Sequence, residues 1–179
     1  TEYSLSDEIS QTPQQGHSHG PPSNLKEYFD PEDLAEQYNL HQEANRLDMA
    51  SLTDEIVLSD GISRRQEFQG GHIYWSPATG AWGTTGPPQA RWAATGHERG
   101  PLGYPVGDAF CGIRDGGCFQ HFQGGSIYSS AAGGSQIVKG ALRDRWEAIG
   151  WENSVLGYPL MDEQCGLVNG GCYQHFQAG

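Results

Sequence analysis

The chain has no stretch of about 18 consecutive apolar residues, the length that a helix needs to cross a bilayer, so we expect no membrane span. Positive charge is scarce, with 10 Lys and Arg against 22 Asp and Glu and a net charge of -12. Because proteins that bind nucleic acid present a positive face, this balance argues against a nucleic-acid partner. The sequence also lacks G-x-S-x-G, H-E-x-x-H and phosphate-binding glycine motifs. We therefore expect no enzyme activity and no cofactor, and any catalytic domain would lie outside this chain.

The negative charge is concentrated at one end of the chain. Residues 1–60 contain thirteen acids and two bases, whereas residues 61–179 contain nine acids and eight bases. A near-neutral surface has no electrostatic preference for a charged ligand. The second region therefore favours a neutral partner, such as an uncharged polysaccharide.

Two segments precede that near-neutral region. Residues 1–24 are polar and rich in Ser, Gln, Pro and Gly, which is typical of a flexible tail. His17 and His19 lie in this tail without a third and fourth ligand, so we expect no metal there. Residues 25–60 form an acidic leader that we predict to be partly helical, because Asp30 stands as a cap before a proline and further acids. The leader either covers the exposed face of the first repeat or docks a basic protein partner.

An internal repeat with a period of 54 residues organises the rest of the chain. The segment 91–125 recurs as 145–179 without an insertion, and a partial copy surrounds Phe68. Such self-similarity is the signature of small units that bury their apolar faces by stacking on one another. We assign a repeat domain to residues 61–179, with copies at about 68–121 and 122–175 and a third copy that is cut at Gly179.

Each copy predicts the same order of elements. Residues 67–69 and 72–75 are two short strands around a Gly-Gly turn, and a second turn follows at 76–80. A short helix comes next, since an apolar face recurs and a glycine ends it; its residues in the second copy are Val138, Leu142, Trp146, Ile149 and Gly150. In the first copy Pro88 must lie in the first helical turn. The expected fold is α+β, a ring-like or solenoid-like array of hairpins and helices.

The four cysteines form two C-x6-C pairs, one in each copy. Identical local spacing favours Cys111 with Cys118 and Cys165 with Cys172 over the other two pairings. If 113–116 is a four-residue loop, the first pair lies directly opposite across a hairpin, whereas a two-residue loop would leave it diagonal. Such bridges imply an oxidising compartment.

Zinc is the alternative use of these cysteines. His121 and His175 follow the second cysteine of each pair by three residues. The C-x2-C knuckle is absent, and only Asp108 and Asp162 recur as a further ligand, so we favour disulfides.

From about Phe68 onward the chain resembles the LGFP repeat. The resemblance rests on the strand pair 68–77, on Trp92 and Trp146 in the helix, and on the Gly-Pro-Leu-Gly-Tyr-Pro segment at 100–105. The second copy has Ser129 in place of Trp75, and both copies have Tyr where the family name has Phe.

The resemblance implies a location and a function. LGFP repeats occur in secreted and envelope proteins of actinobacteria, often beside mycolyltransferases or wall hydrolases. We therefore expect a secreted, cell-wall-located binding module that attaches to an arabinogalactan-like or peptidoglycan-associated glycan. An adaptor or inhibitor acting through the acidic leader, or an accessory part of a wall hydrolase, is the alternative.

Aromatic and polar side chains that repeat with the units are the candidate glycan contacts. Rings stack on sugar C–H faces, and amides bind hydroxyl groups. Trp92, Trp146, Phe122 and Phe176 are expected in the core. Gln120, His121 and Gln123, with Gln174 and His175 in the next copy, alternate with buried Phe and are expected to face outward. The complete set is Tyr74, Trp75, Tyr104, Gln120, His121, Gln123, Tyr128, Trp151, Tyr158, Gln174 and His175.

Acidic residues that recur once per copy are expected to have a different role. They are Glu98 with Glu152 and Asp108 with Asp162. A catalytic site needs one constellation, whereas a recurring polar residue more often holds a loop or forms repeated binding sites. We therefore expect one of these two roles for the acids.

Overall fold

The computed structural model describes residues 52–179. The polar tail and the predicted helices of the leader lie outside these residues. Leu52 to Asp60 are described, and they begin the first structural unit. Within residues 52–179, neither helix has the length and apolar character needed to cross a membrane.

The first unit is an antiparallel meander of four strands followed by a helix. Its strands are β1 (Ile56–Val57), β2 (Arg64–Phe68), β3 (Gly71–Ser76) and β4 (Gly80–Thr84), in the order β1-β2-β3-β4. Helix α1 (Gly86–Ala94) follows directly. The pair of strands around the Gly-Gly turn confirms the prediction made for it.

The second unit repeats this arrangement. Its strands are β5 (Phe110–Ile113), β6 (Gly117–Phe122), β7 (Gly125–Ser130) and β8 (Gly134–Val138), and helix α2 (Gly140–Ala148) follows. The third unit contributes a two-stranded hairpin of β9 (Gln164–Cys165) and β10 (Cys172–Tyr173). The tandem α+β repeat is thus present, and it contains more strand than was predicted.

The predicted helix of the second copy begins too early. Val138 ends strand β8 and pairs with Ser126, and Lys139 caps the helix that starts at Gly140. The apolar spacing from Val138 to Leu142 is helical only by coincidence, because the chain changes direction at Gly140, where φ is 55°. Strands β4 and β8 were therefore missed.

The other helix boundaries agree with the prediction. Pro88 lies buried in the first turn of α1, where its missing N–H leaves no intrahelical bond unmade. Gly96 and Gly150 follow the two helices with φ of 100° and 103°. Only a residue without a Cβ adopts this left-handed conformation without strain, so each glycine ends its helix.

Both predicted disulfides are present, Cys111–Cys118 and Cys165–Cys172. In the hairpin of β5 and β6, Cys111 and Cys118 stand directly opposite each other, the register expected for a four-residue loop. The loop itself has only the three residues 114–116. A bulge at Gly112, with φ of 88°, adds the residue that brings the cysteines into register.

Helix α1 packs between the first two sheets. Its Trp92 is fully buried and contacts Tyr74 of the first sheet and Phe122 of the second, at centroid distances of 4.7 and 5.2 Å. Ile127 and Ile137 join the same core. Helix α2 repeats the contact through Trp146, which packs on Tyr128 and on Phe176 of the third unit. Both faces of the second sheet therefore contribute to a hydrophobic core.

The first unit lacks a disulfide and has an ion pair in its place. Val57 and Arg64 occupy the paired positions that Cys111 and Cys118 hold one unit later. Arg64 is buried, and its Nε lies 3.1 Å from Glu55 Oε1. The three units otherwise share an equivalent backbone hydrogen bond. In each unit the amide of Leu52, Val106 or Leu160 donates to the hairpin that follows it in the chain.

Candidate functional site

Gln120 and Gln174 are buried, so the prediction that they face outward was wrong, whereas Gln123 and His175 are exposed. Gln120 is 0% exposed, and its Nε2 donates to the carbonyls of Gly83 and Gly107 at 2.9 and 3.0 Å. Gln174 is 9% exposed and makes the corresponding pair of bonds one unit later, at 2.9 and 2.7 Å. Their face of the sheet is covered by the preceding unit, which leaves no room for a sugar.

The recurring aspartates hold loops, which is one of the two roles expected for them. Asp108 Oδ1 accepts from the amide of Gly83 at 2.7 Å, and Asp162 Oδ1 accepts from the amide of Ile137 at 2.7 Å. Each carboxylate thus ties the loop after one unit to the last strand of that unit. Asp162 also forms an ion pair with Arg91 of α1.

The three tyrosines Tyr74, Tyr128 and Tyr158 belong to the core and are only 1–3% exposed. The hydroxyl of Tyr158 donates to the carbonyl of Arg114, at the tip of the preceding hairpin. Burial, aided by the charge of Glu152, raises the pKa of Tyr158 to about 12. Their ring faces are covered by protein, so these tyrosines are not platforms for a ligand.

Tyr104 and Gln123 lie together at the bend of the first Leu-Gly-Tyr-Pro segment. The Tyr104 hydroxyl donates to Asp60 Oδ2 at 3.1 Å, and its amide donates to Gln123 Oε1 at 2.9 Å. Hydrogen bonds from Ser63 and from the Ile62 amide lower the pKa of Asp60 to about 2. Gln123 is exposed, but its carbonyl oxygen already holds the bend.

Two tryptophans of the first sheet are half-buried. Trp75 lies between Arg64 and Ala81 in the register of the sheet. Trp82 was not among the candidates; it stands opposite Tyr74, and its Nε1 donates to the carbonyl of Thr79 at 2.5 Å.

Three of the predicted residues converge on the second unit. The ring of Trp151 stacks on Tyr128 at 5.6 Å and lies 5.5 Å from His121. Trp151, which follows Gly150, has a φ of 55°. This left-handed conformation is uncommon for a bulky residue. The guanidinium of Arg143 lies 5.2 Å from the centre of the Trp151 ring. Trp151 thus contacts Tyr128, His121 and Arg143 and is half-buried.

A hydrogen-bonded chain fixes the orientation of His121. Arg143 Nε donates to Ser126 Oγ at 2.7 Å, and Ser126 Oγ lies 2.6 Å from His121 Nδ1. Ser126 is 0% exposed, and within residues 52–179 its hydroxyl proton has no acceptor other than His121 Nδ1, so we assign the ring proton of His121 to Nε2. Burial and the nearby charge of Arg143 lower the pKa of His121 to about 4, so the ring is neutral near pH 7.

Two phenylalanines that were not predicted extend this cluster toward solvent. Phe110 on β5 pairs with Phe119 on β6, which pairs with Tyr128 on β7. Phe119 stacks on Tyr128 at 5.4 Å, and Phe110 is 41% exposed. The disulfide register contained the signal, since Cys111 opposite Cys118 places Phe110 opposite Phe119. We call Phe110, Phe119, His121, Arg143 and Trp151 the aromatic ledge.

The first unit carries different chemistry at the same positions. In place of Phe119, His121, Arg143 and Trp151 it has Arg65, Glu67, Gln89 and His97. Arg65 and Glu67 form an ion pair at 3.1 Å. The ledge is therefore specific to the second unit in the described part of the chain.

In the third unit only part of the ledge is present. Tyr173 corresponds to Phe119, and its ring lies 5.3 Å from that of His175. Both residues are exposed. Glu163, Cys165 and Cys172 form the only group within residues 52–179 with metal-binding geometry, but both sulfurs are used in the disulfide.

The fold and this surface define a class of protein. It is a disulfide-bearing array of small α+β units in which recurring polar residues hold the strands and loops in place. Comparison with protein families matches the LGFP repeat at residues 50–100, 102–154 and 156–179. The chain belongs to the LGFP repeat family, a family of cell-wall-associated repeats. No curated protein matches the chain.

Proposed function

We propose that this protein is a secreted, non-catalytic module that attaches to a neutral polysaccharide of the cell envelope. The observation that carries the proposal is the aromatic ledge of the second unit. It combines partly exposed rings with a neutral imidazole donor, on a repeat region of balanced charge. Flat apolar rings beside hydrogen-bond donors suit the alternating C–H and hydroxyl faces of a sugar.

Two further observations support a binding role without catalysis. Asp108 and Asp162 are engaged by backbone amides, and the cysteines are oxidised. A thiolate nucleophile is therefore not available at these positions. Disulfides also fit an oxidising, extracellular location.

Sedimentation of the full chain with deproteinised cell-wall glycan tests the proposal. Binding that persists from about 0.05 to 0.5 M salt is expected, because a neutral ligand is not screened over that range. If the chain stays in the supernatant at every salt concentration, the proposal is wrong.

The alternative of a basic protein partner concerns the acidic leader, most of which lies outside the described residues. A full-length variant with the acids of residues 1–50 changed to the corresponding amides separates the two hypotheses. Glycan attachment through the repeats predicts unchanged sedimentation of this variant. Sedimentation that is lost in the variant, and that weakens with salt in the native chain, would instead assign attachment to the leader.

A further inference from the structure

We propose that the aromatic ledge is a single saccharide subsite, in which one neutral sugar ring lies on Phe110 and Phe119 and accepts a hydrogen bond from His121 Nε2. This inference rests on the proposed function and goes beyond it, because it limits binding in the described chain to one of the three units. A repeat protein is otherwise expected to bind through equivalent sites on every unit.

The apolar part of the ledge is preorganised. Phe119 is held on Tyr128 at 5.4 Å with an angle of 17° between the rings. Phe110 lies beside it at 6.0 Å and is 41% exposed, on a strand that the Cys111–Cys118 disulfide fastens to its neighbour. A ring fixed in this way loses little conformational freedom when a ligand stacks on it.

The polar part of the ledge supplies a donor of defined direction. The Arg143–Ser126–His121 chain puts the ring proton on Nε2, and no residue of 52–179 accepts a hydrogen bond from that atom. The His121 ring lies 5.0 Å from Phe119, so the donor and the apolar surface adjoin each other. A sugar hydroxyl oxygen above Phe119 is the natural acceptor.

The charges at the ledge favour a neutral ligand over an anionic one. Arg143 Nη1 lies 3.5 Å from Glu147 and 3.8 Å from Asp144. These two carboxylates offset the single cation, and a uronic acid or phosphate would meet their repulsion. The imidazole is itself uncharged near pH 7.

The corresponding surface of the first unit is unsuited to the same ligand. Ile56 stands in the place of Phe110 and Arg65 in the place of Phe119, so these positions of the first unit carry no pair of adjacent aromatic rings. The carboxylate of Glu67 replaces the imidazole of His121, and it already pairs with Arg65. Burying that ion pair under a sugar would cost desolvation energy that a neutral hydroxyl does not return.

The test compares matched variants of the full chain in sedimentation with deproteinised wall glycan. Phe110→Leu keeps an apolar side chain and removes the flat face, and Ile56→Ala is its counterpart in the first unit. We expect glycan affinity to fall about tenfold in Phe110→Leu, the loss of one stacked ring, and to stay within about twofold in Ile56→Ala. Urea midpoints equal to that of the native chain show that Phe110→Leu is folded.

A second pair of variants tests the donor, with His121→Phe and Glu67→Gln as the matched changes. Glycan affinity is expected to fall in the first and to stay unchanged in the second. Competition with neutral galactan oligosaccharides should displace the glycan more effectively than galacturonan oligosaccharides of equal length.

Each outcome bears on one proposal. If the native chain sediments and Phe110→Leu sediments equally well, the single subsite is refuted while glycan attachment stands. Equal loss in Ile56→Ala and Phe110→Leu would refute the restriction to the second unit. If the native chain does not sediment, the proposed function fails, and the subsite fails with it.

Discussion

Replacing Gln120 with Met separates a structural role from a binding role at one residue. The change keeps a side chain of similar length and removes the amide that donates to Gly83 and Gly107. Gln120 lies on the face of β6 toward the preceding unit and is 0% exposed. The variant therefore perturbs the contact between two units without touching the solvent-exposed surface.

The expected cost follows from what is left unpaired. The carbonyl of Gly83 keeps one bond, from the amide of Ala109 at 3.1 Å, whereas the carbonyl of Gly107 loses the hydrogen bond that Gln120 supplies. Each lost bond costs about 1 kcal/mol, and an orphaned buried carbonyl adds about 1 kcal/mol more. Gln120 Oε1 is itself buried without a partner, so removing it returns part of that cost. We expect the free energy of unfolding to fall by about 2 kcal/mol.

Urea unfolding followed by tryptophan fluorescence measures this loss, and glycan sedimentation measures binding in the same sample. Gln174→Met is the matched variant; it removes the corresponding bonds at a position that is 9% exposed and should cost less. An unchanged midpoint in Gln120→Met together with lost glycan binding would contradict the structural assignment. That result would mean that the amide of Gln120 binds a ligand and not the carbonyls of Gly83 and Gly107.

Three other changes have expected outcomes. Removing the Cys111–Cys118 bridge with alanines should lower stability by about 2.5 kcal/mol, the loop-closure entropy of an eight-residue ring, as measured by urea unfolding. Gly124→Ala should strongly destabilise the fold because its Cβ would lie 2.4 Å from a backbone oxygen, whereas Gly107→Ala meets nothing within 4 Å and should leave the midpoint within about 0.5 kcal/mol. Folding lowers the pKa of His121 and therefore favours the neutral imidazole. The stability that this contributes is fully present above pH 6.5 and is lost as the pH falls toward 4. An NMR titration that gives His121 an ordinary imidazole pKa would contradict this prediction.

The cysteine spacing allowed the most accurate prediction from the sequence. It placed both disulfides, but it left open whether Cys111 lies directly or diagonally opposite Cys118, and the bulge at Gly112 that makes the pairing direct was not foreseen. The same register, continued by one residue, places Phe110 opposite Phe119 and would have revealed the ledge. This step was missed because the candidate aromatics were chosen by their position in the repeat and not by their partners across the hairpin.

The error at Gln120 has a different physical origin. Gln120 lies two residues before Phe122 on β6, and side chains two residues apart on a strand point to the same face of the sheet. Correctly applied, alternation places Gln120 with the buried Phe122, and it places His121 with Phe119 on the other face. The prediction put Gln120 out of phase with Phe122, and a buried amide must find backbone partners.

Strands β4 and β8 were missed because their sequences carry little strand signal. Gly80–Thr84 contains two glycines, and Gly134–Val138 begins with Gly and Ser. Glycine weakens a strand in isolation, so these segments pair because β3 and β7 offer them an edge. Tertiary context decides their structure, and local propensity does not.

Comparison of the first and second units distinguishes the residues that maintain the fold from the residues of the aromatic ledge. The identical pairs Gln66 and Gln120, and Trp92 and Trp146, hold strands, loops and helices in equivalent places. The two units instead differ at adjoining positions, where Arg65 and Glu67 give way to Phe119 and His121, and His97 and Gln89 to Trp151 and Arg143. A fold that tolerates an ion pair or an aromatic ledge at one place does not need either for stability. The two units thus differ at positions where a ligand can be selected, which is why binding should follow the ledge and not the number of repeats.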